Sequence, residues 1–209
     1  MTSQVIDWIQ ISLNLLSQST NRIIWNLFLA AIPFAFSFYL FRLSAKRNVF
    51  WWFSLLIFIA FLPNAPYILT DSIHIIELSQ QDYPRWAIIF ILLPQYVLFI
   101  VAGFEAYIIS LIRFERYLTN LVAPEYIAPS LVISNAIAHG LCVVGIYIGR
   151  FERFNSWDFA TKPILVLATT IQDLCDGWKL LSMAITFLLI WLLSELVKLV
   201  NRKVSNLGN

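Results

Sequence analysis

Five long apolar runs constrain this chain more than anything else in it. They cover residues 23–41, 49–69, 86–112, 130–149 and 180–197. Each is close to the roughly 20 apolar residues that a helix needs to cross the hydrocarbon core of a bilayer. No water reaches that core, so every backbone N–H and C=O must be satisfied within the protein. Open strands and irregular loops are therefore excluded from contact with lipid. Composition agrees: 60% of the 209 residues are hydrophobic and 12% are charged, where a soluble domain carries roughly a quarter charged residues. So thin a polar coat cannot cover so much apolar surface in water. The sequence predicts an all-α, polytopic membrane bundle, one domain over residues 1–209. It has five transmembrane helices, or six if the apolar stretch 163–171 crosses instead of lying as an interfacial or re-entrant helix.

Several local features refine this outline. Trp51-Trp52 opens the second run as an interface anchor, since tryptophan favours the headgroup level. Pro63 is expected to stop that span, because proline lacks the amide donor and disfavours helix in the residue before it. Pro94 predicts a kink in the third span. Residues 4–18 alternate a stripe of Ile6, Ile9, Leu13 and Leu16 with one of Asp7, Gln10, Asn14 and Ser17. That pattern predicts an amphipathic N-terminal helix on the membrane surface or against the bundle. It lacks the basic start and small-residue cleavage site of a secretory signal. Cys142 lies inside an apolar run and Cys175 is far along the chain, so no structural disulfide is expected.

Lys and Arg near the span ends give an orientation. One side collects Arg42, Lys46, Arg47, Arg113, Arg116, Lys198, Arg202 and Lys203; the other has Arg22, Arg85, Arg150, Arg153, Lys162 and Lys179, spread over longer segments. The short loop 42–48 carries the strongest bias. It predicts a multi-pass protein of the cell membrane with its N-terminus outside and its C-terminus in the cytoplasm. Residues 63–85 and 150–179 then face the same, outer side, whether or not 163–171 crosses. A net charge of +2 and the lack of a basic patch interleaved with aromatics exclude nucleic acid as a partner. The lipid bilayer is the one partner the sequence names; protein partners are not specified.

Those two outer segments hold most of the polar detail. The first reads Leu62-Pro63-Asn64-Ala65-Pro66-Tyr67, then Thr70-Asp71-Ser72-Ile73-His74. Thr70 or Asp71 is expected to cap a short helix. Asp71 and His74, three apart, share a helical face. The pair could act as a general base, His74, with Asp71 orienting it, or hold a divalent metal, although no further ligands lie nearby. The plainer reading is a helix break with a cap and an interfacial histidine. The second segment reads Gly149-Arg150-Phe151-Glu152-Arg153-Phe154-Asn155-Ser156-Trp157-Asp158. Arg150 and Arg153 present guanidinium forks suited to carboxylate or phosphate, with Glu152 and Asp158 available to hold them. Snorkelling arginines with belt aromatics are again the plainer reading. Inside the spans, Glu105 lies about 10 Å and His139 about 14 Å from their helix ends at 1.5 Å per residue. They could meet as interhelical glue or as a proton relay with Asn135 and Gln95. Glu195 is expected to pair with Lys198.

The two segments resemble the signature of a family of bacterial multi-spanning membrane proteins, domain-of-unknown-function family 1361. The likeness rests on Leu62-Pro63-Asn64-Ala65-Pro66-Tyr67 with Thr70-Asp71 and His74, and on Gly149-Arg150-Phe151, Arg153 and Asn155-Ser156-Trp157-Asp158. It runs from about the first span onward and omits the amphipathic N-terminus. The resemblance implies an integral membrane protein of about this size. It supplies no activity, substrate or cofactor, so cofactor use stays unassigned and no metal site is expected. It adds weight to Asn64, Tyr67, Asp71, His74, Arg150, Arg153, Asn155, Trp157 and Asp158 as site residues. Three functions follow as expectations. The first is an outward polar pocket at the lipid–water boundary, binding an anionic lipid headgroup or a lipid-linked phosphate or sugar. The second is a non-catalytic assembly or scaffold protein whose polar segments form a structural network. The third is a small transporter subunit using Glu105 and His139.

Overall fold

A computed structural model describes residues 2–43 and 46–207. Met1, Ser44, Ala45, Gly208 and Asn209 lie outside them, so the extreme ends of the domain expected over 1–209 and the middle of loop 42–48 are not described. Every regular element among the described residues is helical. Five helices are long and apolar enough to cross a membrane: Gln4–Arg42, Val49–Ser79, Arg85–Thr119, Pro124–Arg150 and Gly177–Lys203. Each contains one of the five apolar runs, and the protein is a multi-pass helical membrane bundle. The apolar stretch 163–171 falls in α9, Pro163–Cys175, whose 13 residues span about 20 Å at 1.5 Å per residue, short of a roughly 30 Å hydrocarbon core.

The N-terminal stretch 4–18 is helical but not separate. It forms the first turns of α1, Thr2–Phe38, which continues without a break into the first span. At 37 residues, α1 measures about 55 Å. What organises it is α6, Leu93–Thr119, together with the turns that precede it. Trp8 meets Trp86 at 6.0 Å, Ser19 Oγ donates to Gln95 Oε1 at 2.8 Å, Arg113 Nη1 donates to Phe34 O and Ser37 Oγ at 3.2 and 3.0 Å, and Phe41 packs on Phe114. The partners advance in step along both helices, so the first and third spans run side by side in the same direction. Alternating spans require that.

Prolines shape the breaks. In the third span, α5, Arg85–Ala87, is followed by a widened π-type turn at Ile88–Leu92. Pro94 cannot donate to the Phe90 carbonyl four residues back, and the wider turn accommodates the missing bond where a kink was expected. In the second span, α2, Val49–Phe61, begins at Asn48, whose side chain accepts from the Trp51 amide at 2.9 Å. It ends just before Pro63, as expected. The chain then winds on through one turn of α3, Asn64–Tyr67, a 3₁₀ turn at Ile68–Ser72, and α4, Ile73–Ser79.

Two glycines seat this broken stretch between α6 and α7, Ile127–Arg150. A Cβ at Gly103 would lie 2.1 Å from Ile68 Cδ1, and one at Gly145 would lie 2.6 Å from both Cβ and Cγ of Pro63. Small residues at helix interfaces let backbones approach closely. The remaining elements are the short α8, Asp158–Thr161, then α9 and α10, Gly177–Leu207, whose first amides are capped by Asp176 Oδ1. The Ile68 methyl can swing aside whereas the Pro63 ring cannot. Gly145→Ala should therefore destabilise the bundle by about 1–3 kcal/mol, and Gly103→Ala by less. Denaturant unfolding in mixed micelles measures both.

Candidate functional site

The two polar segments meet at one end of the bundle, and Asp71 is where they join. Its side chain is 2% exposed. Burial of an unpaired carboxylate is costly, and three neighbours answer it. Asn26 Nδ2 of α1 donates to Oδ2 at 2.5 Å, Arg150 Nη1 of α7 lies 3.7 Å from Oδ1, and His74 Nε2 lies 3.8 Å from the same oxygen. Arg150 Nη2 also donates to the Thr70 carbonyl at 3.3 Å. The far nitrogen of His74, Nδ1, is 2.5 Å from Glu77 Oε2. Three elements distant in sequence are thus tied through one carboxylate.

This geometry corrects the expected cap. Thr70 Oγ1 donates back to the Tyr67 carbonyl, no side chain caps α4, and Asp71 faces the interior. It also changes the partners of the arginines. Asp71, not Glu152 or Asp158, holds Arg150, while Glu152 pairs with Lys179 at 3.5 Å. Asp158 braces its own loop: Oδ2 accepts from the Asn155 amide at 2.7 Å, and Oδ1 is 3.5 Å from Thr161 Oγ1. Arg153 is exposed and has no hydrogen bond or ion pair among the described residues. Its backbone adopts φ 59°, a left-handed conformation uncommon outside glycine. The turn brings the Phe154 amide back to the Ile148 carbonyl at 3.2 Å.

Beside this ion network lies a groove of about 730 Å³. Asn64, Tyr67, Asn155 and Trp157 line it; Asp71, His74, Arg150, Arg153 and Asp158 do not. Asn64 Nδ2 crosses from one segment to the other, donating to Ser156 Oγ at 3.1 Å as well as to the Phe61 carbonyl at 3.0 Å. The Tyr67 ring lies against Gly149. Away from the two segments the wall is mostly apolar, with Leu56 and Ile59 from α2 and Leu141 and Val144 from α7, the exceptions being Asn26 of α1 and Thr170 of α9. Asn26 belongs to both features, lining the groove and bonding Asp71. It was not singled out from the sequence, although a lone asparagine in an apolar run needs a polar partner. Among the described residues no three His, Cys, Asp or Glu side chains gather to hold a metal.

The polar groups inside the spans form a second cluster. Glu105 and His139 do not pair. His139 Nδ1 is 2.6 Å from Tyr107 Oη and its Nε2 is 3.2 Å from Ser194 Oγ, while Glu105 accepts from Asn201. Asn135 donates to Glu115, and Gln95 is taken by Ser19. Lys198 pairs with Glu195 at 3.2 Å as expected, and more closely with Glu115 at 2.7 Å. Apart from the Lys198–Glu195 pair, which lies within α10, these are bonds between neighbouring helices.

Removing one partner of a buried ion pair costs more than replacing both. Arg150→Gln should destabilise the protein by about 1–3 kcal/mol, the guanidinium being partly exposed. The double variant Asp71→Asn/Arg150→Gln should lose less than the sum of the singles, by about 1 kcal/mol. A double-mutant unfolding cycle reads this directly.

A comparison with curated proteins and with solved structures found no match to the chain. The family described as "Protein of unknown function (DUF1361)" matches over residues 25–193. That region holds both polar segments, Asn26, Gly103 and Gly145, and begins inside the first span. The chain belongs to the DUF1361 family.

Proposed function

We propose that the groove binds one lipid-like amphiphile, its head among Asn64, Tyr67, Asn155, Ser156 and Trp157 and its chain along Leu56, Ile59, Leu141 and Val144. In this reading the site opens at the outer lipid–water boundary of the cell membrane, with the N-terminus outside and the C-terminus cytoplasmic, as the basic loop 42–48 suggests. The observation that carries it is the groove's polarity gradient. Most of the neutral hydrogen-bonding groups come from the two polar segments, with Asn26 and Thr170 added from α1 and α9, and the apolar side chains come mainly from the spans. Its volume of about 730 Å³ falls in the range of small-molecule sites, roughly 300–1,000 Å³.

The expected anionic ligand finds less support. Arg150 is engaged by Asp71 and the Thr70 carbonyl, and neither Arg150 nor Arg153 lines the groove. His74 as a general base finds little support either, since its ring nitrogens lie against Glu77 and Asp71. The scaffold reading is favoured for the charged residues themselves. Asp71, Asn26, His74 and Arg150 then brace the wall of the groove, and the neutral residues beside them do the binding. A transporter route through Glu105 and His139 loses support from their separate partners.

Protein extracted in a neutral detergent should retain about one lipid per chain in native mass spectrometry. Filling the apolar floor with Val144→Trp, or independently with Leu56→Trp, should reduce the retained fraction about tenfold, the equivalent of one or two lost contacts. Leu98→Trp, on an exposed face of α6, should not. Retention unchanged in both filled variants would refute the reading.

A further inference from the structure

We infer that the head of the amphiphile is an uncharged glycosyl group. This rests on the groove reading above and narrows it to a ligand class. No charged side chain lines the groove among the described residues. Of the charges near it, Asp71 is committed to Asn26, Arg150 and His74, and Asp158 to the Asn155 amide, while Arg153 lies outside the lining. A phosphate or ammonium head seated in the groove would lose its hydration without a counter-charge among the lining side chains, which is unfavourable.

What the groove does offer is neutral and unused. The Tyr67 hydroxyl, the Asn155 side-chain amide and Asn64 Oδ1 have no hydrogen-bond partner among the described residues, while Asn64 Nδ2 is spent on Phe61 and Ser156. The carbonyls of Leu29 and Ile59, two lining residues, also lack their regular helical donors, because the residues four positions on are Pro33 and Pro63 and proline has no N–H to give. Free acceptors alongside groups that both donate and accept match a ligand rich in hydroxyls, each of which does both. Trp157 is 47% exposed at the rim, and with Tyr67 it presents aromatic surface of the amphipathic kind that suits the C–H face of a sugar ring.

The test is a competition on the purified protein in neutral detergent, read by native mass spectrometry. The probes are monoglucosyldiacylglycerol, phosphatidic acid and diacylglycerol with identical acyl chains. The glycolipid should be bound about tenfold more than either competitor, a ratio that a pair of good hydrogen bonds supplies. Asn155→Leu and Trp157→Ala, both at exposed positions, should reduce the ratio to about twofold or less. Phosphatidic acid or diacylglycerol matching the glycolipid would overturn the glycosyl assignment, and so would a preference unmoved by both substitutions. In either case Val144→Trp and Leu56→Trp would still empty the groove if the broader reading holds. Should neither filled variant release any probe, the groove reading fails and this inference with it.

Discussion

A carboxylate buried between helices cannot stand alone, and much of the architecture at this end of the bundle answers that requirement at Asp71. Its oxygens are met from α1 by Asn26, from α7 by Arg150 and from its own turn by His74. Those partners come from segments that apolar packing alone would allow to slide. Lipid tails are as apolar as leucine side chains, so helix association in a bilayer depends on close packing and polar bonds more than on exclusion of water. Asp71 supplies the polar bond, and Gly103 and Gly145 supply the close packing.

The division of labour at this end of the protein follows from where charge is tolerated. Asp71, Arg150 and His74 are paired behind the wall, and neutral amides and hydroxyls line the open volume. Arg153 marks the boundary between the two roles. Its backbone closes the turn after α7, and its side chain stays outside the groove. Asn26 bridges the two, with one side chain serving both the brace and the cavity wall.

Much of the fold was legible because lipid leaves a chain few choices. An apolar run of the right length must be a helix, and Pro63 must interrupt one. Charge placement predicted that the segments holding Asp71 and Arg150 share one side, but not that these two residues pair. Other features were not legible, for physical reasons. Nothing in residues 4–18 marks a break from the first span, because a continuous helix and a surface helix share the same periodicity. The arginines read as ligand-binding because sequence reports charge but not its partner, and Arg150 is spent on Asp71. The groove draws on α1, α2, α7, α9 and both polar segments, so no single stretch displays it. Leu56 and Val144 are ordinary span residues until the fold brings them opposite Asn64.

The most direct measurement asks whether the two segments touch in a native membrane. With Cys142 and Cys175 replaced by serine, Asn64→Cys and Ser156→Cys can be introduced together and treated with a short bis-thiosulfonate linker. The account predicts rapid intramolecular cross-linking of the pair, since the native side chains are hydrogen-bonded at 3.1 Å. If both thiols react with a monofunctional reagent yet never cross-link, the segments lie apart and the account is contradicted.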